Sequence, residues 1–300
     1  MKLHKKSLLA SLAATAVLVG MSTSASAGID ITNWQLNLNS LSSQPGYSNV
    51  VNVLDSGINN LSFNGESYVT NTPVSGQPGI YTSTDVGVFN ILSMNSGTGL
   101  ALGGGQLTAY FQGTDLTNAN TGTFTFQSGK FSVYYNPTVV YGSTSANHFG
   151  STIGTVIATF NVANTGNHAT SGGSVNPNGT PAANGQVTVT GSPPTTLNPS
   201  NILLDSNGNV FNQNILLSFV TTNASEDLAA NKNTYTINPN LVTGLGLPAG
   251  TYNGQGGLPN FFIQNGGQFK LQYAPEPMTV ALFGAGLLAM GWSLRRRSNV

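Results

Sequence analysis

Apolar and polar side chains alternate at every second residue through much of the chain between residues 28 and 274, a period that belongs to strands and not to helices. Trp34, Leu36 and Leu38 follow it, as do Phe124 and Phe126, and then Phe131, Val133 and Tyr135. So do Val156, Ala158, Phe160 and Val162, the pair Val187 and Val189, and Phe269, Leu271 and Tyr273. Each group reads as a half-buried strand, and together they predict an all-β body, a β-sandwich or jelly-roll. Asn64-Gly65 and Asn265-Gly266 sit between apolar runs and read as two-residue hairpin turns; Asn207-Gly208 marks a third turn. One short helical turn is expected, with Ser225 as its cap, Glu226 and Asp227 at its positive end and Lys232 near the other. Residues 163–200 are rich in Gly, Asn, Pro, Ser and Thr, broken by the Val187–Val189 strand. That stretch reads either as an excursion within one domain or as a linker between two halves. No internal period points to a solenoid.

The ends have a different character. Lys2, Lys5 and Lys6 precede an apolar stretch from Leu8 to about Val19, and Ala25-Ser26-Ala27 supplies small residues at the spacing of a signal-peptide cleavage site. Residues 1–27 are therefore expected to be removed, with Ala25 and Ala27 marking the cut. At the other end, Pro275-Glu276-Pro277 precedes an uncharged apolar run over 278–294, followed by Arg295-Arg296-Arg297. The run is 17 residues long, or roughly 25 Å as a helix, near the lower limit for a hydrocarbon core of about 30 Å. It reads as a single transmembrane helix. The arginines would stay on the cytoplasmic side and stop transfer, while the prolines keep Glu276 in an extended segment outside.

This three-part tail resembles the PEP-CTERM sorting signal of Gram-negative bacteria. The resemblance implies that an exosortase-type membrane protease reads Pro275, Glu276 and Pro277 and removes the remainder, so that residues 275–300 hold the inner membrane only transiently. The Gram-positive sortase pattern is absent: Leu247-Pro248-Ala249-Gly250-Thr251 has similar letters in another order and no apolar tail beside it. In the body, residues 107–113 (Leu-Thr-Ala-Tyr-Phe-Gln-Gly), Phe124-Thr125-Phe126 and residues 129–137 (Gly-Lys-Phe-Ser-Val-Tyr-Tyr-Asn-Pro) resemble the flocculation-associated branch of that family. Membership of that branch implies a role in cell aggregation within secreted polysaccharide.

The overall neutrality of the chain comes from its two ends. Six of the nine basic residues lie in the two end signals, leaving Lys130, Lys232 and Lys270 against eight acids in 28–274, a net of 3 − 8 = −5. A weakly acidic body with no basic stripe excludes a nucleic-acid partner. Charged residues make up 6% of the chain, against about 25% in ordinary globular proteins, so Asn, Gln, Ser, Thr and Gly carry the polarity. Such a surface suits neutral extracellular polysaccharide, with Tyr and Phe faces stacking on sugars. There is no cysteine, so the body is held by its core alone.

A search for chemistry finds isolated groups. His148 and His168 lie in polar loops without the ligand spacing of a zinc site and read as solvated. No G-x-S-x-G elbow accompanies them. Asp205-Ser206-Asn207-Gly208-Asn209 has the letters of a calcium loop, but its Gly comes early and Leu216 stands where the closing Glu belongs, so it reads as an Asx-rich turn. Glu66 at a hairpin tip, with Asp85 and Asp115 in turns, are the only carboxylates worth considering as a glycosidase pair, and nothing in the sequence joins them. Neither a cofactor, a metal nor a catalytic residue is assigned. The expectation is an exported, non-catalytic surface or matrix protein acting in flocculation or biofilm formation. The alternatives are a secreted polysaccharide-active enzyme and a protein-binding module. A pair of carboxylates about 5 to 10 Å apart in a cleft would favour the enzyme.

Overall fold

The computed structural model describes residues 29–48, 50–163, 172–174, 185–196, 201–211, 215–227, 239–247 and 260–273. The expected signal peptide with Ala25 and Ala27, the motif Pro275-Glu276-Pro277, the apolar run 278–294 and Arg295, Arg296 and Arg297 all lie outside them, as do Lys232 and His168. Among the described residues no helix is long and apolar enough to cross a membrane.

The body is all-β. Its strands are β1 (Ile29–Asp30), β2 (Trp34–Asn37), β3 (Leu54–Ile58), β4 (Leu61–Pro73), β5 (Ile80–Met94), β6 (Thr98–Gly99) and β7 (Gln106–Asn118). They continue with β8 (Thr123–Asn136), β9 (Thr155–Ala163), β10 (Gly172–Ser174), β11 (Gly185–Thr196), β12 (Leu203–Leu204), β13 (Ile215–Asp227) and β14 (Asn260–Tyr273). A short helix, α1 (Pro239–Gly244), precedes β14.

The strand order overturns the expected sandwich or jelly-roll. Strands β4, β5, β7, β8, β9, β11, β13 and β14 pair in that order, each antiparallel to the next. The ring then closes, because Asn260–Phe269 of β14 pairs with Leu61–Thr70 of β4 while β14 also pairs with β13. Eight strands in chain order make an up-and-down barrel, without the crossing connections of a Greek key. Closure gives each of the eight staves a hydrogen-bonded neighbour on both sides. An eight-stranded barrel is just wide enough for its side chains to fill, and here they do. Phe63, Phe89, Phe111, Phe131, Phe160 and Phe269 are all buried in one cluster. Phe63 stacks on Phe269 with ring centroids 4.5 Å apart, and Phe131 meets Phe269 edge-on at 5.0 Å.

The inward positions are the period-two sets legible in the sequence: 131, 133 and 135 on β8, and 269 and 271 on β14. One pole is closed by a second sheet, in the order β12-β2-β3, whose Trp34, Leu36, Ile58 and Leu203 join the same core. A cavity of about 30 Å³ remains between Trp34, Leu36, Leu107, Val133, Phe160 and Leu271. Its walls are predominantly apolar.

Two local expectations are corrected and a third is extended. Asn64-Gly65 and Asn265-Gly266 form no turns; both lie within long strands and face each other, Asn265 opposite Gly65 and Gly266 opposite Asn64. Ser225, Glu226 and Asp227 begin no helix; they extend β13 and pair with Gln264, Ile263 and Phe262. Within 163–200, the twelve residues Gly185–Thr196 form a stave of the barrel, paired with both β9 and β13. The Val187–Val189 strand expected there is part of it. Tertiary pairing outweighs turn chemistry at all these positions. The Asn207-Gly208 turn stands as expected: Gly208 has φ +80, and Asp205 Oδ1 accepts from the backbone N–H of Asn207 and Asn209 at 2.8 Å each. That is an Asx turn.

Candidate functional site

At the pole opposite the small sheet, polar residues replace phenylalanine inside the barrel. The β5–β7 register sets Ser83 opposite Asp115 and Asp85 opposite Gly113, so Asp85 and Asp115 are diagonal neighbours on the inward face. Such pairs are about 7–8 Å apart along the backbone, within reach of each other's side chains. The sequence reading put both in turns; they lie mid-strand because β5 and β7 run on for thirteen or more residues. Glu66, expected at a hairpin tip, is also mid-strand, but on β4 it has the opposite parity to Ser67 and so does not join the pair.

A chain of short polar side chains surrounds the two acids. Asn265 Nδ2 donates to Ser67 Oγ at 2.8 Å, and the Ser67 hydroxyl serves Asp85. On the other side, Ser83 Oγ donates to Asn71 Oδ1 at 2.5 Å and lies 3.4 Å from Thr117 Oγ1, which donates to Asp115 Oδ1 at 2.8 Å. Asp115 is 5% exposed. Asp85 keeps partial exposure as a residue, but its Oδ1 is shut off from solvent and has no hydrogen-bond partner. Burial, and then the charge of Asp115, push the Asp85 carboxyl well above the usual carboxylate range. Burial also raises Asp115, opposed by the bond from Thr117. Two neighbouring carboxyls of which one resists ionisation are the raw material of general acid catalysis. They are equally the signature of a polar layer enclosed by closure of the barrel. Sequence reasoning missed Ser67, Asn71, Ser83, Thr117 and Asn265. The signal was present as i, i+2 spacing (83 and 85, 115 and 117), but polar residues inside a barrel look the same as polar residues in turns.

His148 is not the solvated loop residue expected from the sequence. It is half-buried and stacked on Tyr110, with ring centroids 4.3 Å apart and planes at 26°. Burial lowers its pKa, against a bond to the backbone of Gly244. It sits in a left-handed turn: Asn147, His148 and Phe149 all have φ between 51 and 63, a conformation costing roughly 1–2 kcal/mol per residue. The turn is held by Gly150 N–H donating to Ala146 O at 2.9 Å and by the Ser151 hydroxyl donating to His148 O at 2.7 Å. Its function is to seat Phe149 with Leu241 of α1 over Tyr68, Val88 and Phe262 on the outer wall. Among the described residues no three His, Asp or Glu side chains converge as metal ligands. Compared with protein-family models, curated proteins and solved structures, the chain has no significant match.

Proposed function

We propose that the chain is an exported surface or matrix protein of a Gram-negative bacterium, processed by an exosortase-type protease and acting without catalysis in polysaccharide-associated flocculation or biofilm formation. The observation that supports the polysaccharide partner is the outer wall between β4 and β8. Its exposed positions include Thr72, Thr82, Thr84, Gln112, Thr114, Gln127 and Ser128, with Lys130 as the one charge in that group. β-Branched hydroxyl side chains are stiff and lose little entropy when they bind, so a neutral, hydroxyl-rich chain can be held by many weak bonds. Such a wall is the reverse of the apolar band that a lipid-facing barrel needs. The stacking of exposed rings on sugars finds less support: the large apolar side chains that stand exposed among the described residues are aliphatic, Ile29, Val51, Leu92 and Val139 among them.

The export reading rests on the tail. Changing Glu276 to Ala should leave a longer, membrane-bound form, and mass spectrometry of the extracellular fraction should find mature protein lacking 278–300. Recovery of secreted protein that retains those residues would reduce the tail to an ordinary anchor.

The Asp85–Asp115 pair favours the second reading, a secreted polysaccharide-active enzyme. The non-catalytic reading treats the pair as structural, since Asp115 is enclosed and bonded on its own strand. It expects no hydrolysis of the host polysaccharide by the purified protein. Hydrolysis that disappears in Asp115→Asn would establish the enzyme instead.

A further inference from the structure

The two ends of the barrel body meet. Ile29 pairs with Tyr273 and Asp30 with Gln272, and Ile31 N–H donates to Leu271 O at 2.8 Å. Strand β4 leaves β14 after Leu61 pairs with Phe269, so β1 takes over its place along the last residues of β14. On the other side Ile215, Leu216 and Leu217 of β13 pair with Tyr273, Gln272 and Leu271. The final residues of β14 are thus held from both flanks. Asp30 fastens the contact further: its Oδ1 accepts from Gln272 Nε2 at 2.7 Å and its Oδ2 from Lys270 Nζ at 3.3 Å.

One residue, Ala274, separates Tyr273 from Pro275. One residue spans at most about 3.6 Å. A protease that reads an extended substrate grips several residues beside the motif by pairing with their backbone, and those residues are already paired within the barrel. We propose that β1 docked on the end of β14 is a latch that controls removal of the tail: the sorting motif is cut from chains in which β1 is undocked and the end of β14 has frayed, and docking of β1 closes that route. The latch is built to open. It is a two-residue strand with Ile29 73% exposed, and its ion pair is a surface pair with side chains 40% and 46% exposed, the kind that contributes little. It also begins two residues after Ala27, so removal of the signal peptide frees the segment that closes it. This inference rests on the proposed processing at Pro275-Glu276-Pro277.

The register provides the test. Ile31 and Leu271 are a hydrogen-bonded pair, so Asp30 and Gln272 are the closer, non-hydrogen-bonded kind, with Cα atoms about 4.5 Å apart, within disulfide range. The chain has no other cysteine, so Asp30→Cys with Gln272→Cys can form only one intramolecular bridge. In the producing bacterium, pulse-labelled double variant should lose its tail about tenfold more slowly than wild type, because the frayed population is removed, and reductant should restore the rate. Asp30→Ala alone should speed tail loss. A flexible ten-residue spacer after Ala274 should make the bridged protein as fast as wild type, showing that the bridge blocks access and not folding. Equal rates for bridged and wild-type protein, or a spacer without effect, would overturn the latch. A wild-type tail that is never removed would overturn the processing reading along with it.

Discussion

Gly65→Val should destabilise the barrel by about 3 kcal/mol or more, while Gly266→Val, beside it on the neighbouring strand, should change stability by less than about 0.5 kcal/mol. The two glycines belong to the opposed Asn-Gly pairs of β4 and β14, and their surroundings differ. A Cβ on Gly65 would lie 2.2 Å from Val88 O, 2.6 Å from Phe89 Cδ1 and 2.8 Å from Phe89 Cα. Two of those three atoms are backbone of a paired strand and cannot step aside without breaking the β4–β5 ladder. A Cβ on Gly266 would meet nothing within 4 Å. Neither glycine has a left-handed φ, so the contrast isolates packing from conformational freedom. Urea midpoints of the two variants against wild type measure it. A Gly65→Val protein as stable as Gly266→Val would mean that Phe89 does not fold back over β4 as described.

That glycine also shows where the sequence was legible and where it was not. The period of two marked Phe131, Val133, Tyr135, Phe269 and Leu271 as inward-facing, and they are. Alternation reports only which side of a sheet a residue faces; a sandwich and a barrel produce the same local pattern. The difference lies in one long-range pairing, β4 with β14, whose partners stand about two hundred positions apart and have no local signature. Asn-Gly misled for a related reason. Gly65, Gly87, Gly113 and Gly129 interrupt strands to make room for rings: Phe89 lies over Gly65 and Gly87, and Phe111 over Gly113 and Gly129. Glycine beneath an aromatic ring in a curved sheet has the same letters as glycine in a turn. The polar layer was hidden likewise, since Ser83, Asp85, Asp115 and Thr117 look solvated until closure puts them inside.

The same layer should leave its mark on stability as pH changes. The Asp85 and Asp115 carboxyls have folded pKa values raised above the ordinary 3.8, so in the window above that value the folded chain holds protons that the unfolded chain has released. Stability from these groups is complete below the ordinary carboxylate value and is lost as pH rises through the raised folded values. For one proton the loss has a ceiling of about 1.4 kcal/mol per pH unit. Asp55 adds to the same slope, its carboxyl raised by burial against the bond from Ala101. His148 acts in the opposite sense: its pKa is lowered from 6.5 by burial, so its share is present above that value and lost as pH falls below it. Asp85→Asn removes the group with the stronger upward shift and leaves Asp115 and Asp55 in place. Urea unfolding of the two proteins from about pH 4 to pH 8 should show wild type losing more stability than the variant as pH rises, the variant keeping only the shallower loss from Asp115 and Asp55, with the decline governed by His148 the same in both. Parallel curves would mean that Asp85 ionises freely in the folded barrel, and the enclosed polar layer at that pole would have to be abandoned.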